Sequence, residues 1–280
     1  MSEPEEPMVG GRFYHVRVRK GEVAPYVLMP GDPDRVPKLA KFWDEASEVS
    51  FHREYRVWNG RVGGARVTAC STGIGAPSTI IALEELARAG ANTFIRVGST
   101  GALQRGIELG DLIISEAAVR LEGTSTQYAL KEYPAYASYE VTLALIEAAE
   151  TIGAKYHVGV TASTDSFYTG QGRKGYQNYT WSHSEKILQD LKQMQVLNFE
   201  MEASALFTVA SIYRLRAGAV CTVFANREEG KFGTAGEETL AKVAAEAVKI
   251  LNEWDTIKQK NNKKHIYPSM LLKHLEKKKT

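Results

Sequence analysis

Three short stretches of this sequence share one chemical character: Pro30-Gly31-Asp32-Pro33-Asp34-Arg35, Ser71-Thr72-Gly73-Ile74-Gly75-Ala76-Pro77-Ser78 and Arg96-Val97-Gly98-Ser99-Thr100-Gly101. In each, an apolar run stops at glycine, and small hydroxyl residues or an arginine follow. Glycine lets backbone N–H groups approach a ligand closely, and arginine offers a planar fork for two oxyanion oxygens. Each loop taken alone reads as an ordinary strand-to-helix turn. Arg96 tips the balance, because a charge at the end of the apolar run Thr93-Phe94-Ile95 is costly without an anionic partner. No Gly-Lys-Ser/Thr follows any of the loops, and none carries the spaced glycines and distal acid of a dinucleotide site. A free phosphate or a similar small oxyanion is the expected ligand.

Two further groups could do chemistry. Glu200-Met201-Glu202 puts two carboxylates ahead of an apolar helical stretch. They read either as acids on a helix dipole or as acceptors for vicinal sugar hydroxyls. Phe167-Tyr168-Thr169-Gly170-Gln171-Gly172-Arg173 offers an amide and a guanidinium, which suit the imide edge of a pyrimidine or simply a polar surface loop. Asn226-Arg227 similarly puts a cation at a strand end. The six histidines show neither metal-ligand spacing nor a partner for a nucleophile, which disfavours a metalloenzyme or a triad hydrolase.

The elements that must position these residues alternate. Strands are expected at Tyr26 to Met29, on either side of an Asn59-Gly60 turn (54–59 and 65–71), and at 93–97, 111–121, 157–163 and 217–225. Helices are expected at 77–89, 139–152, 184–194, 202–214 and 236–255. This pattern predicts an α/β fold, a single domain with a central mixed β-sheet flanked by helices. The expected boundaries are a flexible lead-in over 1–11, the domain over 12–255 and a basic tail over 256–280.

With 280 residues, 44% hydrophobic and 24% charged, the composition is that of an ordinary globular protein. From Lys258 onward there are eight lysines and one acid, Glu276. Such a run, with Leu271, Leu272 and Leu275, reads as a solvated or peripherally packed helix rather than a nucleic-acid or membrane surface. Cys70 and Cys221 are too sparse for a disulfide framework and lie in apolar runs. The N-terminus has no basic-then-apolar leader, and no apolar run reaches the roughly 20 residues a membrane span needs. A cytoplasmic protein is expected.

In order, these pieces resemble the nucleoside phosphorylase-I family, in particular its uridine-cleaving members, from about His15 to Trp254. The resemblance also rests on His52-Arg53-Glu54, on His157-Val158-Gly159-Val160-Thr161-Ala162-Ser163 and on Gln171-x-Arg173. It implies that Gly31, Arg35, Arg96 and Ser99 bind phosphate, with Arg53 from a neighbouring subunit. His15 of that neighbour would approach the ribose, held also by Thr100, Met201 and Glu202. Thr100, Phe167, Gln171, Arg173 and Arg227 would meet the base. The catalytic pair would be Arg96 and Glu202. The reaction implied is phosphorolysis, with phosphate as substrate, no cofactor, and a structural K+ at Glu54, Ile74 and Ser78. The implied assembly is a homo-oligomer, a hexamer built from dimers that share active sites. Purine-cleaving members use an aspartate on the purine, and Asn226-Arg227 in the comparable region favours a pyrimidine. A purine phosphorylase, a nucleosidase and a non-enzymatic nucleoside-binding protein are the alternatives. The segment 228–236, Thr169 and Gly172 depart from the family pattern.

Overall fold

The computed structural model of the protein describes residues 6–272; the expectations for residues 1–5 and for Leu275 and the last lysines lie outside the described residues. The strands are β1 (Met8–Val9), β2 (Arg12–Phe13), β3 (Tyr26–Met29), β4 (Glu45–His52), β5 (Tyr55–Val62), β6 (Ala65–Cys70), β7 (Thr93–Ala102), β8 (Leu112–Leu121), β9 (Ala135–Tyr136), β10 (Tyr156–Thr164), β11 (Asn198–Glu200), β12 (Arg216–Asn226) and β13 (Lys231–Phe232). The helices are α1 (Arg35–Ala40), α2 (Ala76–Ala89), α3 (Tyr139–Ile152), α4 (Ser182–Gln193), α5 (Ala203–Ile212) and α6 (Glu237–Lys260).

β1 and β2 make a small hairpin, and the other strands form one mixed sheet. At its centre β7 runs parallel to both β3 and β12 and antiparallel to β11. β12 pairs with β8, β8 with β10, and β10 with β11. Since β11 returns to β7, these five strands close into a ring, and β3, β6, β5 and β4 extend from it as an open wing. One face packs on α2 and α5 through residues such as Leu83, Leu86, Leu206 and Phe207. The other packs on α1, α3 and α6 through Leu39, Leu145, Leu240 and Leu251. Each of these leucines is essentially fully buried, a contribution of about 2 kcal/mol apiece.

The α/β architecture and most elements match the sequence expectation. The turn does not fall at Asn59-Gly60. β5 continues through both residues, and the chain reverses at Gly63-Gly64, where φ is +55° and +80°. Asn59 is held inside the sheet instead, its amide donating to the Glu22 carbonyl and its oxygen accepting from Thr68. Gly60 is needed for packing, since a Cβ there would lie 2.2 Å from the Glu45 carbonyl oxygen. The edge strand β4 is mostly exposed and has no clear apolar alternation, which hid it in the sequence. α6 runs on to Lys260, past the boundary expected at 255. Buried Lys258 pairs there with Glu140 (2.5 Å) and Asp255 (2.9 Å), while Ile257, Ile266 and Met270 pack together beside Trp254. The described part of the tail is thus peripherally packed.

Candidate active site

The glycine-ended loops meet at one cavity of about 780 Å³. Gly31 and Arg35 follow β3, Arg96 to Gly101 are the second half of β7, and Glu200 to Glu202 join β11 to α5. Phe167, Gln171 and Arg173 come from the loop after β10, Phe224 and Ala225 from the end of β12, and Phe232 from β13. The Gly31-to-Arg35 loop is a tight turn in which the Asp34 N–H donates to the Asp32 side chain. Arg35 leaves it to pair with Glu237 at 3.2 Å.

Arg96 is 6% exposed, and its partners are protein carboxylates. Nη2 lies 2.5 Å from Glu202 Oε2, and Nε lies 2.7 Å from Glu200 Oε2, a close ion pair that is out of line for a hydrogen bond. The cost of a charge at the end of an apolar strand is therefore met first from within the chain. Burial works against the Arg96 charge, but Glu202 and then Glu200 outweigh it and keep the guanidinium pKa above its ordinary value. The guanidinium folds over Gly98, where an added Cβ would stand 2.8 Å from Nη2.

The two carboxylates differ in their surroundings. Glu200 Oε2 accepts the N–H groups of Glu202 and Ala203 at 2.9 Å each, so it closes the start of α5. Its other oxygen accepts from the buried Ser163 hydroxyl. Glu202 accepts the Gly75 N–H at 2.7 Å, which ties the 71–78 loop to the site. Burial pushes the Glu202 carboxyl up to about 7 against the pull of Arg96, with the neighbouring Glu200 charge adding to the rise. One acid of the pair thus anchors a helix, and the other is poised between its charged and neutral forms near neutral pH.

Along β7 the lining changes character. Thr100 donates to the Phe199 carbonyl at 2.6 Å, beside Met201. Gly101, one step further, faces the Arg173 and Arg227 side chains, which would lie 3.9 and 3.7 Å from a Cβ there. Gln171, 3% exposed, has its oxygen 2.5 Å from Arg173 Nη1, its NH2 3.2 Å from Thr164, and its carbonyl 2.9 Å from Arg227 Nη1. The Arg173 guanidinium stacks 4.0 Å from the centre of the Phe167 ring. Burial, then the adjacent Arg227 charge, lowers the Arg173 pKa to about 10.

Of the residues singled out in the sequence, Gly31, Arg35, Arg96, Ser99, Thr100, Phe167, Gln171, Arg173, Met201 and Glu202 line the cavity. Arg227 is not among the lining residues and sits behind two of them, Gly101 and Gln171. His15 and Arg53 lie outside it, together on a separate patch. His15 Nδ1 is 2.6 Å from Glu85, its carbonyl is 3.1 Å from the His52 ring, and Arg53 reaches the Tyr14 hydroxyl at 3.4 Å. Glu54 and Ser78 flank Gly73, whose Cβ would stand 2.9 Å from one and 3.5 Å from the other, while Ile74 is 80% exposed at the cavity rim. Among the described residues no cluster of three His, Cys, Asp or Glu could hold a metal ion. Sequence reasoning gave no role to Phe224 and Phe232, and named Glu200 and Gly98 only as members of their candidate stretches. Phe224 and Phe232 carried no signal of their own, being apolar residues at the end of one strand and in a short one.

Glycine turns and a buried arginine, beside two carboxylates and at strand ends of a mixed α/β sheet, are the setting of a small-molecule site. The chain belongs to the phosphorylase superfamily, whose family model matches residues 25–253. It is similar to a uridine phosphorylase of Thermococcus kodakarensis, 61% identical over 260 residues, 93% of this chain and 94% of that one. A uridine phosphorylase of Escherichia coli is 44% identical over 243 residues, covering 86% and 95% of the two chains. A guanosine phosphorylase of Halorubrum lacusprofundi is 40% identical over 216 residues, covering 77% and 84%. Among the described residues no helix is long and apolar enough to cross a membrane.

Proposed function

We propose that this chain cleaves uridine by reversible phosphorolysis, giving uracil and ribose 1-phosphate. The carrying observation is that one cavity holds the Gly31, Arg35, Arg96 and Ser99 group together with Glu202 and the Gln171–Arg173 pair. A phosphate oxygen forms the bond to C1′ as the C1′–N1 bond breaks, and the bonding electrons leave with uracil. Arg35 and Arg96 orient the phosphate, whose negative charge stabilises the cationic sugar. Thr100, Met201 and Glu202 hold the ribose, with Glu202 accepting from its hydroxyls. Phe167 packs on the base, and Gln171 and Arg173, backed by Arg227, stabilise the charge that develops on the uracil carbonyls until a proton returns to N1. A nucleosidase using water would have no need of these arginines.

His15 and Arg53 share a surface patch outside the cavity, which supports a homo-oligomer in which a second copy lends them to the neighbouring site. We assign a hexamer built from dimers on this reading, with small-molecule substrates and no nucleic-acid or membrane partner. The reaction uses no cofactor. Glu54, Ile74 and Ser78 are the assigned positions for a monovalent cation, and omission of K+ tests them through thermal stability. The two buried free cysteines support a reducing compartment, the cytoplasm.

The similarity to a guanosine phosphorylase makes the base the point to test. Uridine, thymidine and inosine are incubated with and without phosphate. Uracil and ribose 1-phosphate are expected only with phosphate. Base release without phosphate, or cleavage of inosine alone, overturns the proposal, and no turnover of any of them points to a binding protein. Arg96→Ala should raise KM for phosphate far more than for uridine.

A further inference from the structure

Asn226 is the last residue of β12, is 1% exposed and is not among the residues lining the cavity. All of its hydrogen-bonding capacity is in use. Its amide donates to the carbonyls of Ile107 (2.7 Å) and Gln104 (3.2 Å), and its oxygen accepts the N–H groups of Glu228 and Glu229 at 2.9 Å each. With carbonyls on one side and N–H groups on the other, only one orientation of the amide satisfies all four. The turn from 226 to 229 is thereby keyed into the loop that follows β7. Arg227 N–H donates to the Ala102 carbonyl (2.8 Å), Glu229 accepts from Gly106 N–H (3.3 Å), and Glu228 pairs with Arg105 (3.2 Å) and with Lys192. From this turn the Arg227 guanidinium donates to the Gln171 carbonyl at 2.9 Å, next to the Gln171–Arg173 contact.

We infer that Asn226 is a positioning residue for base recognition, acting through Arg227 on the Gln171–Arg173 turn without touching the substrate. This rests on the assignment of Gln171 and Arg173 to the base. An aspartate in its place has the same shape but sets a carboxylate against two carbonyl oxygens. Asparagine is therefore required at this position for the geometry of the turn.

The test uses the full-length assembled enzyme and steady-state KM and kcat for uridine and phosphate separately. Asn226→Asp should lower kcat/KM for uridine about tenfold or more through loss of two donated hydrogen bonds, with KM for phosphate within about twofold. Asn226→Ser, which keeps a short donor and acceptor, should fall between, and serves if the aspartate variant does not fold. In a double-variant cycle, Asn226→Asp combined with Arg227→Ala should lose little more than Arg227→Ala alone, within about threefold. Additive losses, equal losses for both substrates, or a gain of inosine cleavage by Asn226→Asp would each overturn the inference. Unchanged uridine kinetics in Gln171→Ala would show instead that the base assignment itself has failed, and the inference with it.

Discussion

Replacing Glu202 by glutamine separates what this residue does for the fold from what it does for the reaction. Burial raises its carboxyl from the ordinary 4.5 to about 7, and the pull of Arg96 is already contained in that value. A carboxyl whose pKa rises on folding binds its proton more tightly in the folded chain. Its contribution is therefore fully present below about 4.5 and is lost as pH climbs through about 7. At roughly 1.4 kcal/mol per pH unit, the ionised side chain costs the ligand-free fold on the order of 3 kcal/mol above neutrality. Glutamine keeps the shape and removes the charge. Glu202→Gln should then melt roughly 5 °C above the parent chain at pH 8.5, with the gap narrowed to about a quarter at pH 5. Its kcat/KM for uridine should fall roughly a hundredfold, as expected when a site group acting on developing charge is lost. The assay is thermal unfolding across pH without substrates, alongside steady-state kinetics. A variant no more stable than the parent at pH 8.5, or a gap that does not narrow toward acid, would refute the reasoning.

Other perturbations address separate parts of the molecule. Gly98→Ala puts a Cβ 2.8 Å from Arg96 Nη2 and 2.9 Å from Cys221 Sγ, so KM for phosphate should rise about tenfold or more while the chain still folds; unchanged phosphate kinetics would show that the Arg96 pose is not required. Gln171→Ala removes the acceptor of Arg173 and should raise KM for uridine with phosphate affinity kept, as steady-state titration of each substrate will show. Glu140, buried, accepts the Ile266 N–H and pairs with Arg216 and Lys258. Glu140→Ala leaves both cations with Asp255 as their one remaining carboxylate and should cost about 2 kcal/mol in chemical denaturation, with kcat for uridine unchanged.

Much of this was legible in residue types. The β3, β7 and β12 runs were visible because strands buried on both faces read as continuous apolar stretches. Arg96 stood out because a charge interrupts such a stretch. What the sequence could not show was the pairing of Arg96 with Glu200 and Glu202, since residues more than a hundred positions apart meet only through the ring of strands. It also could not separate the two acids. Glu200 and Glu202 differ in which N–H groups they accept, and that depends on how α5 begins. Asn59-Gly60 carried the local mark of a turn, but long-range packing against Trp43 and Thr68 overrode it. The three-residue β11 was too short for any periodicity to reveal.

Arg96, Gly98 and Thr100 stand on one face of β7, so one strand carries both the guanidinium assigned to phosphate and the hydroxyl assigned to the ribose, and Glu202, 2.5 Å from Arg96, joins the two assignments. That strand is gripped on one edge by β3 and β11 and on the other by β12, so it cannot slip without breaking the ring. It serves as a fixed rail: on the proposed reading, phosphate and ribose are held side by side along it, as bond formation between them requires. The segments assigned to the base lie in turns, at 167–173 and 226–232, whose sequences can change without altering the strand. On that reading, base preference is free to diverge among related chains, while the placing of phosphate against sugar stays written in one strand.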